Sequence, residues 1–196
     1  MNIAALVLAA GRSARMGGRN KLTQEIDDTP MVAKVVAAAT ASKVKDVFVV
    51  VGHEHGAVRA VLSGYDVVFV ENPDYASGLS ASLRCGLSAL SSGVDGVVVC
   101  LGDMPYVTSD HINRLIAAVN PDKRMICVPT FQHQRGNPVL WSRHFFPQMM
   151  DLCGDIGARK LINQHSESVC EVGISDSGVL TDIDTWEDLH KVERFG

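Results

Sequence analysis

A chain of 196 residues suffices for one ordinary core and is short for two, and 46% hydrophobic with 20% charged residues is the make-up of a globular, water-soluble fold. Eighteen Lys and Arg against 22 Asp and Glu leave a net charge of −4, which argues against a nucleic-acid partner. No apolar run reaches the roughly 18 residues of a membrane span, so no membrane association is expected. Five cysteines without a CxxC pair read as reduced, mostly core residues.

The chain opens on "IAALVLAAGRSARMGGRNK", residues 3–21. The apolar run reads as a strand buried on both faces, and no basic segment precedes it, so a secretory leader is not expected and the compartment reads as cytoplasmic. A helix over 30–42 follows, with Met31, Val32, Val35, Val36 and Ala39 on one stripe. Strands are expected at 46–51, 66–70, 96–101 and 125–129, and helices at 54–63, 79–91 and 109–119, the last capped by Thr108 or Ser109. The strands are continuous in Val, Ile and Leu rather than alternating, as in a parallel sheet with helices on both faces. After Pro129 the rhythm breaks. "TFQHQRGNPVLW", residues 130–141, predicts a hairpin or an inserted antiparallel strand with its turn at Gly-Asn-Pro. Helices near 143–151, 157–165 and 184–194 and a strand at 168–172 complete the chain.

In an open α/β sheet, ligands bind beyond the carboxyl ends of the strands, and the loop after the first strand is the usual phosphate cradle. Here that loop carries Gly11, Gly17 and Gly18 with Arg12, Arg15, Arg19 and Lys21. Glycines let backbone N–H groups converge on an anion, and the cations neutralise it, so a polyphosphate is the expected occupant. The dinucleotide GxGxxG is absent, and the loop does not fit the P-loop spacing. A second signal is "VVVCLGDMPYVT", residues 97–108, where Asp103 leaves a buried strand at the same sheet edge. A carboxylate beside a polyphosphate is suited to hold Mg²⁺, which takes one or two protein carboxylates plus phosphate oxygens. The alternative is that Asp103 caps the helix near Thr108.

Gly78, Ser80 and Ser82 open a helix whose N-terminus and hydroxyls suit a ribose or base, with plain capping as the alternative. Asp182 and Asp184 share one face of an extended stretch. His53 and His55 have a metal-like spacing without an evident third ligand.

The segments "LAAGRSARMGGRNK" (8–21), "GLSASL" (78–83), "LGDMPYV" (101–107), "RGNPVLW" (135–141), "GDIGARKLI" (154–162) and "DIDTWEDL" (182–189) together resemble the molybdenum cofactor nucleotidyltransferases of the NTP transferase superfamily, specifically the cytidylyltransferase branch. The resemblance implies one Rossmann-like domain with a mostly parallel mixed sheet, its 1–108 half binding nucleotide and its 109–196 half binding the acceptor. It implies transfer of CMP from CTP to the terminal phosphate of molybdopterin, with Mg²⁺ as cofactor and a molybdoenzyme as a further partner. Leu8, Ala9, Ala10, Gly11 and Arg12 then contact the nucleotide, Lys21 and Arg15 join Asp103 in catalysis, and Asp103 holds the metal. Arg135, Gly136 and Asn137 would meet the acceptor. Asp184 would approach the metal or acceptor, unless it caps the final helix. The Ala-Ala-Gly form at 9–11 resembles the cytidylyl rather than the guanylyl type. Guanylyl transfer, transfer to a sugar phosphate and a non-catalytic cofactor carrier are the alternatives. The chain departs from the family pattern at Glu25, Asp27 and Asp28 and at Asn137, where relatives often carry histidine.

Overall fold

The computed structural model describes residues 1–12, 20–120, 122–123, 125–154, 158–185 and 187–188. The first strand, β1 (Ile3–Ala9), is buried at every position. Its side chains alternate between two cores: Ala5, Val7 and Ala9 enter one, Ala4, Leu6 and Leu8 the other. That two-sided burial is why the run is continuously apolar.

A short antiparallel pair, β2 (Glu25–Ile26) and β3 (Thr29–Pro30), leads into α1 (Met31–Thr40). There follow β4 (Val47–Val51), α2 (His55–Val61), β5 (Val68–Glu71), α3 (Leu79–Ala89), β6 (Gly96–Leu101) and α4 (Ser109–Ala117). The remaining named elements are β7 (Ile126–Phe131), β8 (Gln134–Arg135), β9 (Val139–Ser142), α5 (Phe146–Met150), α6 (Arg159–Gln164) and β10 (Val169–Gly173). The strand order is β10-β7-β9-β6-β1-β4-β5, with β8 paired to β7. β1, β4, β5 and β6 run parallel, as do β7 and β10, while β9 is inserted antiparallel between β6 and β7. Apolar residues of α1 and α4 cover one face, and those of α3, α5 and α6 the other. The expected α/β fold, with helices on both faces and an antiparallel element in the C-terminal half, is therefore present. No described helix is long and apolar enough to cross a membrane.

Two expectations change. The hairpin turn is at Gln132 and His133, both at positive φ (48° and 65°), the geometry of a two-residue turn joining β7 to β8. Gly136-Asn-Pro instead bends the chain from β8 into β9, and it lacks the hairpin role because Gly136 is packed against Val179. The expected helix at 143–151 splits into a 3-10 turn (Arg143–Phe145) and α5, which starts where Pro147 falls in its first turn and no N–H is needed. The helix expected at 184–194 lies almost wholly outside the described residues.

α3 approaches the sheet closely at Gly86, where an added Cβ would lie 2.4 Å from Leu6 Cδ1 and 2.9 Å from Val50 Cγ2. Gly86→Ala is therefore expected to destabilise the chain by about 1–3 kcal/mol despite the better helix propensity of alanine. Urea unfolding midpoints check this, and an unchanged midpoint would contradict the close packing.

Candidate functional site

The in-register pairing of β1 with β4 and β6 brings their carboxyl ends to one sheet edge. There an open cleft of about 660 Å³ is lined by Leu8, Ala10, Gly11, Arg12, Lys21, Tyr75, Gly78, Ser82, Leu101, Asp103 and Asp184, among others. Segments remote in the chain thus converge over the end of β1.

Three local devices set the charged groups. Lys21 begins a 3-10 turn (Lys21–Thr23) whose N-cap, Asn20, is buried and accepts from Leu22 N at 3.1 Å, while buried Leu22 anchors the turn. Gly102 donates its N–H to Leu8 O at 3.0 Å, and an added Cβ would come within 3.0 Å of that same oxygen. Glycine thus lets β6 turn tightly against β1 and present Asp103. Ile183 N donates to Asp103 O at 3.0 Å, which places Asp184 beside it.

Lys21 Nζ lies 2.7 Å from Asp103 Oδ2 and 2.7 Å from Asp184 Oδ1. Partial burial pulls the Lys21 ammonium down, but the Asp103 and Asp184 carboxylates outweigh it and leave the group above its ordinary pKa. The lysine is therefore charged at neutral pH. Asp103 Oδ1 is buried and has no hydrogen-bond partner, so a carboxylate oxygen in the cleft remains unsatisfied. Two oxygen-bearing acids with one spare buried acceptor fit a hard divalent cation that keeps its own waters. No group of three or more metal-ligating side chains occurs among the described residues, His53 and His55 included.

The capping alternatives for the two acids are taken by other residues. Thr108 caps α4, its hydroxyl accepting from His111 N while His111 Nδ1 accepts from Thr108 N. Thr185 and Asp188 exchange the reciprocal bonds of a cap, Thr185 N donating to Asp188 Oδ2 at 3.0 Å and Asp188 N donating to Thr185 Oγ1 at 3.2 Å. His111 also bonds Asp176 at 2.9 Å, and this contact holds the Asp176 carboxyl below its usual range.

Of the remaining nucleotide-site expectations, Ser82 lines the cleft, and Asn72 Nδ2 donates to its hydroxyl at 3.1 Å. Gly78 does so at φ 97°, a conformation that favours glycine. Ser80 does not: it is fully buried, and its hydroxyl donates to Gly154 O at 2.7 Å, which ties α3 to the loop before α6. Ala9 is likewise absent from the cleft wall, being turned into the α1 and α4 core. Arg15 and Arg19 lie outside the described residues.

A second cavity of about 520 Å³ adjoins the first, sharing Leu8, Leu79 and Leu101. Leu83, Val99, Val128, Val139, Trp141 and Ile162 give it apolar walls, and Arg135, Gly136, Asn137, Arg159 and Asn163 complete it. Arg135 Nε donates to Glu171 Oε1 at 2.8 Å, which offsets its charge. The sequence expectations above give no site role to Arg159 or Asn163. Their i, i+4 spacing on an amphipathic helix was the available signal.

The MobA-like NTP transferase domain matches residues 5–169 of the chain. The purine catabolism protein PucB of Bacillus subtilis is 32% identical over 95% of this chain and 94% of its own length. The crystal structure of Rv0371c from Mycobacterium tuberculosis superposes with a TM-score of 0.85 at 32% identity, covering 100% of both chains. The same protein solved in complex with manganese gives 0.81 at 29% identity, again over 100% of both chains. With that model matching most of the chain and the fold agreeing, the chain belongs to the MobA-like NTP transferase family, a group of nucleotidyltransferases.

Proposed function

We propose that this chain transfers CMP from CTP to the terminal phosphate of a small acceptor, molybdopterin being the acceptor that best suits the site, with release of pyrophosphate. The observation that carries the reading is the meeting of Lys21, Asp103 and Asp184 within hydrogen-bond distance at the rim of a cleft large enough for a triphosphate. The 1–108 half would hold the nucleotide and the 109–196 half the acceptor, in a cytoplasmic protein that hands its product to a molybdoenzyme.

An acceptor phosphate oxygen attacks the α-phosphorus, the new O–P bond forms as the bond to the β-phosphate oxygen breaks, and pyrophosphate leaves. No nucleophile from the protein is required, so the chain's work is positioning and charge neutralisation. Asp103 and Asp184 would hold Mg²⁺, which when bound would supply Lewis-acid neutralisation of phosphate charge. Lys21, Arg12 and Arg15 neutralise the departing pyrophosphate. Backbone of Leu8, Ala10, Gly11 and Gly78, with the Ser82 hydroxyl, orients the base and ribose. The second cavity supports an acceptor with a flat ring system, whose faces would pack on Val99, Val128, Val139 and Trp141 while its polar edge meets the side chains of Arg135, Asn137 and Arg159.

The test is incubation of the chain and Mg²⁺ with molybdopterin and each nucleoside triphosphate in turn, reading pyrophosphate and the dinucleotide product. CTP is expected to dominate. A preference for GTP would overturn the base assignment, and release of no pyrophosphate from any of the four would favour a carrier.

A further inference from the structure

We infer that Lys21 is a built-in counter-ion that keeps the Asp103 and Asp184 pair closed to a bare divalent cation, so that metal and triphosphate enter the cleft as a coupled pair. This rests on the reading of those two acids as the metal-holding pair. The ammonium sits 2.7 Å from one oxygen of each carboxylate, between the two groups that a cation would have to bridge. Its side chain is only 13% exposed, so the ammonium is largely shielded from water by the site around it. A divalent cation entering alone would displace a charged lysine and then be repelled by it at short range.

A triphosphate changes that balance. Arg12 and Gly11 line the same cleft as Lys21, so an anion bound there lies within reach of the four-carbon lysine stem and its three rotatable donors. Moving the ammonium onto phosphate withdraws the cation from Asp103 Oδ2 and Asp184 Oδ1, and Asp103 Oδ1 has no hydrogen-bond partner. Two carboxylates with a divalent cation are then neutral, and the lysine retains an anionic contact. Metal and triphosphate must each strengthen the other's binding by the same factor.

Manganese binding to the full chain without nucleotide, followed by the electron paramagnetic resonance of free Mn²⁺, tests this. Lys21→Met is expected to bind Mn²⁺ at least tenfold more tightly than the wild type, about 1.4 kcal/mol. Lys21→Arg, which keeps a cation in place, should bind as weakly as the wild type. Adding Asp184→Asn to Lys21→Met should abolish the gain. Should circular dichroism show Lys21→Met unfolded, Lys21→Gln takes its place with the same expected direction. Equal affinity in the wild type and the neutral variant would overturn the counter-ion role while leaving the metal-holding pair standing. Absence of Mn²⁺ binding in every protein would overturn both.

Discussion

Asp103→Asn is expected to cut nucleotidyl transfer by about 10²–10³-fold, the scale of removing one group aimed at transition-state charge, while the protein stays folded. The substitution keeps the shape of the side chain and removes its charge. The 102–104 turn depends on main-chain bonds, Gly102 N to Leu8 O and Met104 N to Leu101 O, that the variant retains. Lys21 still pairs with Asp184. A steady-state assay beside a far-ultraviolet circular dichroism spectrum separates chemistry from folding, and wild-type turnover in the folded variant would remove Asp103 from the reaction.

Gly136→Ala is expected to damage stability and activity together. A Cβ at Gly136 would lie 2.1 Å from Val179 O and 2.8 Å from Val179 C, a backbone collision that no rotamer change relieves. The displaced segment is held tightly from elsewhere: Asn137 N donates to Val179 O at 2.9 Å, and at Gly178 a Cβ would meet Tyr106 O at 2.5 Å. The same segment runs on to Ile183 and Asp184, so pushing Val179 outward draws Asp184 away from Lys21. We expect a loss of about 1–3 kcal/mol in unfolding free energy, as for other overpacked sites. Transfer should fall up to about 10²-fold, since displacements near 1 Å at a reacting centre have that effect. Urea denaturation and the transfer assay read the two losses, and wild-type values in both would contradict the contact.

Much of the fold was legible because the strands announce themselves. A run such as residues 96–101, apolar at every position, has one economical place, the middle of a parallel sheet covered on both sides. The position of Asp103 followed, since a residue just past a buried strand and a glycine emerges at the carboxyl edge. The hairpin was misplaced because Gln132 and His133 adopt positive φ without the Asn-Gly or Asp-Gly signature, while Gly136-Asn-Pro carries the stronger local turn signal and serves a packing contact instead. Ser80 was misplaced for a different reason. A serine in the first turn of a helix shows its spacing but not its rotation, and the hydroxyl turns inward to Gly154 O. The Lys21 bridge between two acids 82 and 163 positions away had no local signal at all. It required the topology that closes residues 176–184 back over the end of β6.

The proposed function requires Lys21, Asp103 and Asp184 to form one reaction centre for a triphosphate and its cation. An anomalous difference map of a crystal grown with Mn²⁺ and a non-hydrolysable CTP analogue tests it. Manganese is expected in contact with Asp103 and Asp184, with the α-phosphate beside it and Lys21 moved onto the β- or γ-phosphate. Manganese and triphosphate bound together on another face of the sheet, with Lys21 still bridging the two acids, would contradict it.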